Sequence, residues 1–279
     1  MPLDPSGVGA TSPPRNVAWS PRDCALYALG VGAGTDELAF TTDNTRGVEP
    51  RMLPTMPVVL GVDMSVLKAA GTVDWVKLVH AEQSIEILSP PPVEGRGSAQ
   101  TRLAEMWDKG SAALLVVETL LTSEGGDALS RSRASLFVKG AGGWGGDRGP
   151  SRTDEEPGCA PDITVTYATR EDQALLYRLS GDRNPLHSDP AYARRAGFEK
   201  PILHGLCTYG FAGRAVLHAA ADGDPDRVST ISARFAAPVY PGQTLLVDLW
   251  RRKDTAAFRV RTEDGTSVLT GGRAELRRV

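Results

Sequence analysis

A carboxylate, an amide and an imidazole lie within six positions of one another, at Asp182, Asn184 and His187. A glycine and a proline stand among them, and these two residue types favour a stiff loop that presents polar groups. The apolar run that begins near Gly205 predicts the start of a helix, where the first backbone N–H groups have no partner within the helix. An acid/base pair beside such N–H groups is a candidate reaction centre.

Taken alone, these residues also fit a plainer interpretation. The stretch from Asp182 to Pro185 is compatible with an ordinary capping or Asx turn, and His187 with a loop histidine that only bonds locally. His204 is compatible with a simple backbone hydrogen bond at the helix start, so we place it outside catalysis. The elements that would position the loop decide between the two interpretations.

Strand patterning dominates the chain on both sides of the loop. Strands are predicted over residues 79–87, 98–107, 112–123, 128–139, 162–168, 227–236, 243–251, 256–262 and 267–277. Ser20 is predicted to cap a short helix, with Pro21 at its first position. The longest helical run is residues 203–221. Similar spacing of turns and strands in the two halves predicts one antiparallel-sheet module that is duplicated.

These patterns divide the chain into four segments. Residues 1–18 are rich in proline, glycine and serine and are predicted to be disordered. Residues 19–140 form the N-terminal half and residues 161–279 the C-terminal half, which carries the candidate loop. Residues 141–160 are dense in glycine, proline and charge and are predicted to link the halves.

Composition excludes several classes of function. The net charge of −3 gives no basic footprint for nucleic acid. No apolar stretch approaches the roughly 20 residues that span a bilayer, and the first residues do not resemble a signal peptide. The three cysteines, Cys24, Cys159 and Cys207, are far apart and lack metal-type spacing. We therefore expect a cytoplasmic protein without a metal, nucleic acid or membrane partner.

The loop and its flanks closely resemble the hydratase 2 motif of the MaoC-like (R)-specific enoyl-CoA hydratases. The motif covers Gly181-Asp-Arg-Asn-Pro-Leu-His187 and Gly197-Phe-Glu-Lys-Pro-Ile-Leu-His-Gly205. Further similar segments are His80-Ala-Glu-Gln83, Trp107-Asp-Lys-Gly110, Val138 to Gly146 and Arg234 to Gly242. The resemblance implies an α+β double hot-dog: two fused antiparallel-sheet modules with the long helix mainly in the C-terminal half.

The resemblance also implies roles for individual residues. Asp182 and His187 are the implied acid/base dyad, and the Gly205 N–H is the implied oxyanion donor. Asn184 lacks a titratable group, so we give it an orienting role. His187 suits water activation because its reference pKa of ~6.5 lies near working pH. Contacts to an acyl-CoA thioester are implied for His80, Ala81, Lys109, Arg183, Pro185, Leu186 and Phe235. Ala81 departs from the family, which usually has glycine there.

Three functions remain open at this point. The first is reversible hydration of a trans-2-enoyl-CoA to a (3R)-3-hydroxyacyl-CoA in fatty-acid or sterol side-chain breakdown. The second is dehydration of carrier-bound hydroxyacyl chains in fatty-acid synthesis. The third is an acyl-CoA-binding hot-dog subunit without catalysis. We expect no cofactor beyond the coenzyme A of the substrate. The resemblance implies a homodimer, since hot-dog proteins are usually at least dimers and exposed sheet edges invite pairing.

Overall fold

The computed structural model describes residues 3–150 and 157–278. One antiparallel sheet of ten strands organises this part of the chain. The N-terminal half contributes β1 (Arg15–Trp19), β2 (Leu78–Ile87), β3 (Gly95–Asp108), β4 (Ala112–Ser123) and β5 (Ala128–Lys139). The C-terminal half contributes β6 (Ile163–Ala168), β7 (Val228–Phe235), β8 (Thr244–Arg251), β9 (Thr255–Thr262) and β10 (Ser267–Leu276).

The two halves have the same strand order. The sheet runs β1-β3-β4-β5-β2-β7-β10-β9-β8-β6, so each half places its first strand at the outer edge and its second strand at the centre. The central pair β2 and β7 is antiparallel, with Glu82 opposite Arg234 and Glu86 opposite Thr230. The duplicated α+β double hot-dog that the sequence predicted is therefore confirmed.

Alternation of side chains explains why these segments are strands. In β9, Ala256, Phe258, Val260 and Thr262 are buried, whereas Arg259 and Arg261 in the alternate positions reach partly into solvent. Successive side chains of a strand point to opposite faces, so this pattern places one face of the sheet on a core. The other predicted strands lie within a few residues of their observed bounds.

The helices are α1 (Pro21–Gly30), α2 (Leu38–Thr41), α3 (Gln173–Tyr177), α4 (Pro190–Arg195) and α5 (Gly205–Ala220). Ser20 and Asp23 form a capping box at α1, with Pro21 at its first position, as the sequence predicted. Helix α5 is buried along most of its length. A Cβ at Gly210 would lie 2.4 Å from Cγ1 of Val31, so glycine allows the end of α1 to approach α5. No helix in the described ranges is long and apolar enough to cross a membrane.

The predicted disorder of residues 1–18 is wrong for the described residues 3–18. Residues Pro5–Gly7 form a 3-10 turn, and β1 pairs with β3 in register from Arg15 opposite Ala99 to Trp19 opposite Gly95. An otherwise open strand edge supplies the hydrogen bonds that outweigh a composition poor in strand formers. In the predicted linker, residues 151–156 lie outside the described residues.

Candidate active site

The candidate loop follows α3 and is stiffened by two consecutive side-chain turns. Gly181 has φ of +128°, a value that favours glycine. Oδ1 of Asp182 accepts the N–H of Asn184 at 3.0 Å, and Oδ1 of Asn184 accepts the N–H of Leu186 at 3.0 Å. Pro185 then opens a 3-10 turn that ends at His187. Asn184 thus holds the turn that carries His187.

His187 is buried and has a defined tautomer. Its Nδ1 lies 2.9 Å from the carbonyl oxygen of Ile202. A carbonyl can only accept, so Nδ1 carries the hydrogen and Nε2 keeps a lone pair. Burial lowers the pKa of His187, against smaller raising effects of the Ile202 hydrogen bond and the Asp182 charge. The ring is therefore neutral at pH 7 and can accept a proton at Nε2.

Asp182, His187 and His204 form one cluster. One ligating atom from each of the three residues lies within 4.8 Å of the others. Asp182 is exposed to solvent, whereas both imidazoles are buried. These donor types are able to bind a divalent cation. The expectation that the protein uses no metal stays a prediction.

Gly205 is the first residue of α5, and His204 is its N-cap. The Gly205 N–H donates to no acceptor in the described part of the chain. The helix dipole places positive potential at this position. A Cβ at Gly205 would lie 3.0 Å from Cε1 of Phe235, so the Phe235 ring at the end of β7 packs directly against the helix start.

The N-terminal half reaches the same place through β2. The ring of His80 lies 4.8 Å from the ring of Phe235, centroid to centroid. Burial lowers the pKa of His80 to about 4, and the Asp182 charge opposes this shift. Ala81 follows at a β-bulge, where the pairing of β2 with β5 shifts between His80 and Glu82. Its φ is not positive, so the backbone there does not require the glycine that the family usually has.

The other predicted contacts lie at different distances from the cluster. Arg183 and Pro185 are exposed in the loop itself, and Leu186 is half-buried. Lys109 lies in the β3–β4 turn, with β4 and β5 between its strand and β2. Its Nζ donates to the carbonyl of Arg148. Roughly 14 Å of sheet separates β3 from β2, a distance that only an extended ligand would bridge.

Hydrogen bonds to the carboxylate of Asp108 explain the conformation of the segments around Lys109. Oδ1 of Asp108 accepts the N–H groups of Gly110 and Gly143, each at 2.8 Å, and Oδ2 accepts that of Gly145 at 2.8 Å. The glycine-rich segment therefore wraps around one carboxylate. These contacts tie the first part of the predicted linker to the end of β3.

His204 is the residue that sequence reasoning left out of the site. Its ring stacks on His187, with centroids 3.7 Å apart and an interplanar angle of 27°. Its Nε2 lies 3.2 Å from the main-chain oxygen of Asp182. Its position directly before Gly205 was the available signal, because an N-cap residue must lie beside the N–H groups that a helix start offers.

Comparisons with known proteins agree with this geometry. The MaoC like domain matches residues 150–272, and the MFE-2 hydratase 2 N-terminal domain matches residues 18–140. The chain is 43% identical to 3-hydroxyacyl-thioester dehydratase Y of Mycobacterium tuberculosis, over 99% of each chain. It is 42% identical to enoyl-CoA hydratase ChsH3 of the same organism, over 97% of this chain and 98% of the relative.

Solved structures show the same architecture. A MaoC-like dehydratase from Phytophthora capsici superposes with a TM-score of 0.88 at 28% identity, over 99% of this chain and 98% of that one. The full-length peroxisomal multifunctional enzyme type 2 of Drosophila melanogaster gives 0.81 at 37% identity, over 95% of this chain and 48% of that one. The chain belongs to the MaoC-like dehydratase family and, with its two matched domains, to the hydratase 2 members of that family.

Proposed function

We propose that this protein is an (R)-specific enoyl-CoA hydratase. It adds water to a trans-2-enoyl-CoA to give a (3R)-3-hydroxyacyl-CoA, and it catalyses the reverse dehydration. The observation that carries the proposal is the grouping of His187 and Asp182 beside the start of α5. A base with a free lone pair, a carboxylate and an unbonded N–H are the groups that addition to a conjugated thioester requires.

The chemistry follows from these three groups. Nε2 of neutral His187 takes a proton from water as the oxygen bonds to C3 of the substrate. The C2=C3 electrons move toward the thioester carbonyl, whose oxygen gains charge and accepts the Gly205 N–H. A proton from the Asp182/His187 pair then reaches C2, so the pair ends with the protons it began with. We assign this proton transfer to the two residues together, since they lie in one cluster.

The names of two relatives refer to the two directions of this reaction. One is named as a dehydratase of 3-hydroxyacyl thioesters and another as an enoyl-CoA hydratase. The first of these names does not specify the thiol that carries the acyl chain, so the dehydration of carrier-bound hydroxyacyl chains is kept as the second candidate. The two candidates use the same site and differ in the group that carries the acyl chain.

Turnover of defined thioesters tests the proposal. Hydration of crotonyl-CoA and longer trans-2-enoyl-CoAs is followed by loss of enoyl-thioester absorbance, and a (3R)-specific dehydrogenase identifies the product. Asp182→Asn and His187→Gln are expected to lower kcat by ~10²–10⁴. His218→Gln is the matched control, because His218 is exposed on α5 and bonds Glu37 rather than the cluster.

Three outcomes separate the candidates. Variants as active as the wild type would show that the dyad is wrong. Faster turnover of the same acyl chain on carrier protein than on coenzyme A would favour the carrier-linked dehydratase. Acyl-CoA affinity with no turnover of any enoyl thioester would favour a binding subunit. A chain-length series that includes a sterol side-chain thioester identifies the acyl class.

We also propose a cytoplasmic homodimer. Cys24, Cys159 and Cys207 are free thiols, which suits a reducing compartment. The edge strand β6 carries Ile163, whose relative exposure is 39%, and a second copy would cover such an edge. Light scattering of the purified chain gives the mass, and a monomer at micromolar concentration would rule the dimer out.

A further inference from the structure

His204 touches each part of the proposed catalytic apparatus. It is 1% exposed, stacks on His187, and lies 3.2 Å from the main-chain oxygen of Asp182 through Nε2. Along the chain it directly precedes Gly205. Among the described residues, His204 thus contacts both members of the dyad and is also the N-cap residue of α5.

The hydrogen bond fixes the state of this imidazole. The Asp182 carbonyl can only accept, so Nε2 of His204 carries the hydrogen. Burial, with a smaller effect of neighbouring His187, lowers the pKa of His204 to about 4. Asp182 and Arg178 are the other charged groups that act on it. At neutral pH the ring is uncharged and held in one tautomer.

The other ring nitrogen of His204 reduces the stability of the folded protein. Nδ1 of His204 is buried and has no hydrogen-bond partner among residues 3–150 and 157–278. An unsatisfied buried acceptor costs about 1–3 kcal/mol. A residue that served packing alone would avoid this cost, since an apolar ring would fill the same space. The retained nitrogen points to a use for the opposite edge of the ring, which bonds Asp182.

A second aromatic neighbour, Tyr177, also fixes the orientation of the His204 ring. The ring of Tyr177 lies 4.9 Å from that of His204 at an interplanar angle of 53°. Tyr177 is fully buried, so His204 packs against His187 and a tyrosine that offers no room for rotation. The direction of the Nε2–H bond is therefore determined by packing on two rings.

We propose that His204 is a positioning residue that ties the main chain of Asp182 to the start of α5. This tie sets the distance between the Asp182/His187 pair and the Gly205 N–H. Asp182 needs such a tie because its side chain is exposed and accepts a hydrogen bond within its own loop, from the N–H of Asn184. The inference rests on the proposed hydratase function, since it assigns His204 a part in that reaction.

Two substitutions separate the hydrogen bond from the stacking. His204→Phe keeps a flat ring against His187 and removes the donor. We expect kcat to fall about 10- to 100-fold, because misplacement of reacting groups by about 1 Å has effects of this size. KM stays within about twofold, and the thermal midpoint does not fall, because the buried unpaired nitrogen is also removed.

His204→Gln keeps a donor near the position of Nε2 and removes the ring. We expect it to retain more kcat than His204→Phe. It also exposes one face of His187 to water, so the acid limb of kcat/KM moves to higher pH, toward the reference value of ~6.5. The limb stays in place in His204→Phe. If His204 had a structural role alone, the larger loss of kcat would not occur in one variant and the shifted pH profile in the other.

Tyr177→Phe is the matched control. It keeps the ring that packs on His204 and removes a buried hydroxyl without a partner in the described residues. Turnover and pH profile are expected to match the wild type. Wild-type kcat in His204→Phe would overturn the inference, as would a lower kcat in His204→Gln than in His204→Phe if both variants fold.

A measurement without turnover keeps this inference distinct from the proposed function. The chain has four histidines, so ¹⁵N spectra of the labelled imidazoles are readily assigned by substitution. We expect His204 to carry hydrogen on Nε2 and His187 on Nδ1 from pH 8 to pH 6.5. The opposite tautomer at His204 would refute the tie to Asp182. Absence of hydration by the wild type with these tautomers present would refute the function alone.

Discussion

Replacement of Gly205 by alanine tests how closely Phe235 packs against the proposed oxyanion donor. The new Cβ would lie 3.0 Å from Cε1 and 3.1 Å from Cδ1 of Phe235. Optimal carbon contacts begin near ~3.5 Å, so the ring or the helix start must move by about 0.5 Å. The ring of His80 lies on the Phe235 ring and limits its retreat.

The expected effect is on rate rather than on folding. Overpacking of this kind costs about 1–3 kcal/mol, which corresponds to about 5- to 150-fold if it appears in the barrier. The better helix propensity of alanine, about 1 kcal/mol, offsets part of any loss of stability. We expect kcat with crotonyl-CoA to fall about 10- to 100-fold and the thermal midpoint to change little. Gly34→Ala is the control, because a Cβ there meets no atom within 4 Å.

A double-mutant cycle with Phe235→Leu identifies the cause. Leucine removes the ring atoms that meet the new methyl group, so Gly205→Ala with Phe235→Leu is expected to recover part of kcat relative to Gly205→Ala. The coupling free energy is the difference between the double variant and the sum of the single variants. A double variant that is only as active as additive losses predict would show that contact with Phe235 is not the cause.

Two predictions concern stability and are measured by urea unfolding. The pKa values of His80 and His204 are lowered to about 4, so the unfolded chain binds their protons first as the pH falls from 6.5. Unfolding free energy is expected to drop by about 2 kcal/mol per ring between pH 8 and pH 5, and a flat profile would contradict this. Arg214→Leu leaves the buried Glu37 carboxylate with His218 alone and is expected to cost about 3–5 kcal/mol. The double variant Arg214→Leu with Glu37→Gln is expected to lose less unfolding free energy than the sum of the two single losses. A loss equal to that sum would contradict a buried ion pair.

Much of the fold was predictable because its elements follow local rules. The capping box at Ser20 and the alternation in β5 depend on residues a few positions apart. The strand bounds at Ala112–Ser123 and Ala128–Lys139 coincide with the predicted runs. The motif around Asp182 could also be recognised, because its residues lie in one continuous stretch of sequence.

Features that depend on distant partners were not predictable in the same way. Strand β1 forms because β3 offers an edge, and nothing in residues 15–19 alone indicates that edge. The role of His204 depends on stacking across 17 positions with His187 and on a bond to Asp182. Its local signal, the position directly before Gly205, does not by itself reveal these two contacts.

The topology suggests why two halves share one site. The connection from β1 to β2, residues 20–77, occupies the same place in its half as residues 169–227 do between β6 and β7. The second connection carries the dyad loop and α5. The first has no long helix, and its groups bond α5 instead: Nη1 of Arg214 donates to the Val31 carbonyl at 3.0 Å, and Arg214 pairs with Glu37.

The first connection therefore supports the helix of the other half. Gln173, at the start of α3, also donates to the Gly30 carbonyl at 2.7 Å, so the segment before the dyad loop rests on α1. Strand β2 then brings His80 beside Phe235 at the centre of the sheet. If the halves were separated, α5 would lose the partners of Arg214 and the site would lose His80. The duplicated module works as one unit because one copy of the connection holds the catalytic copy in place.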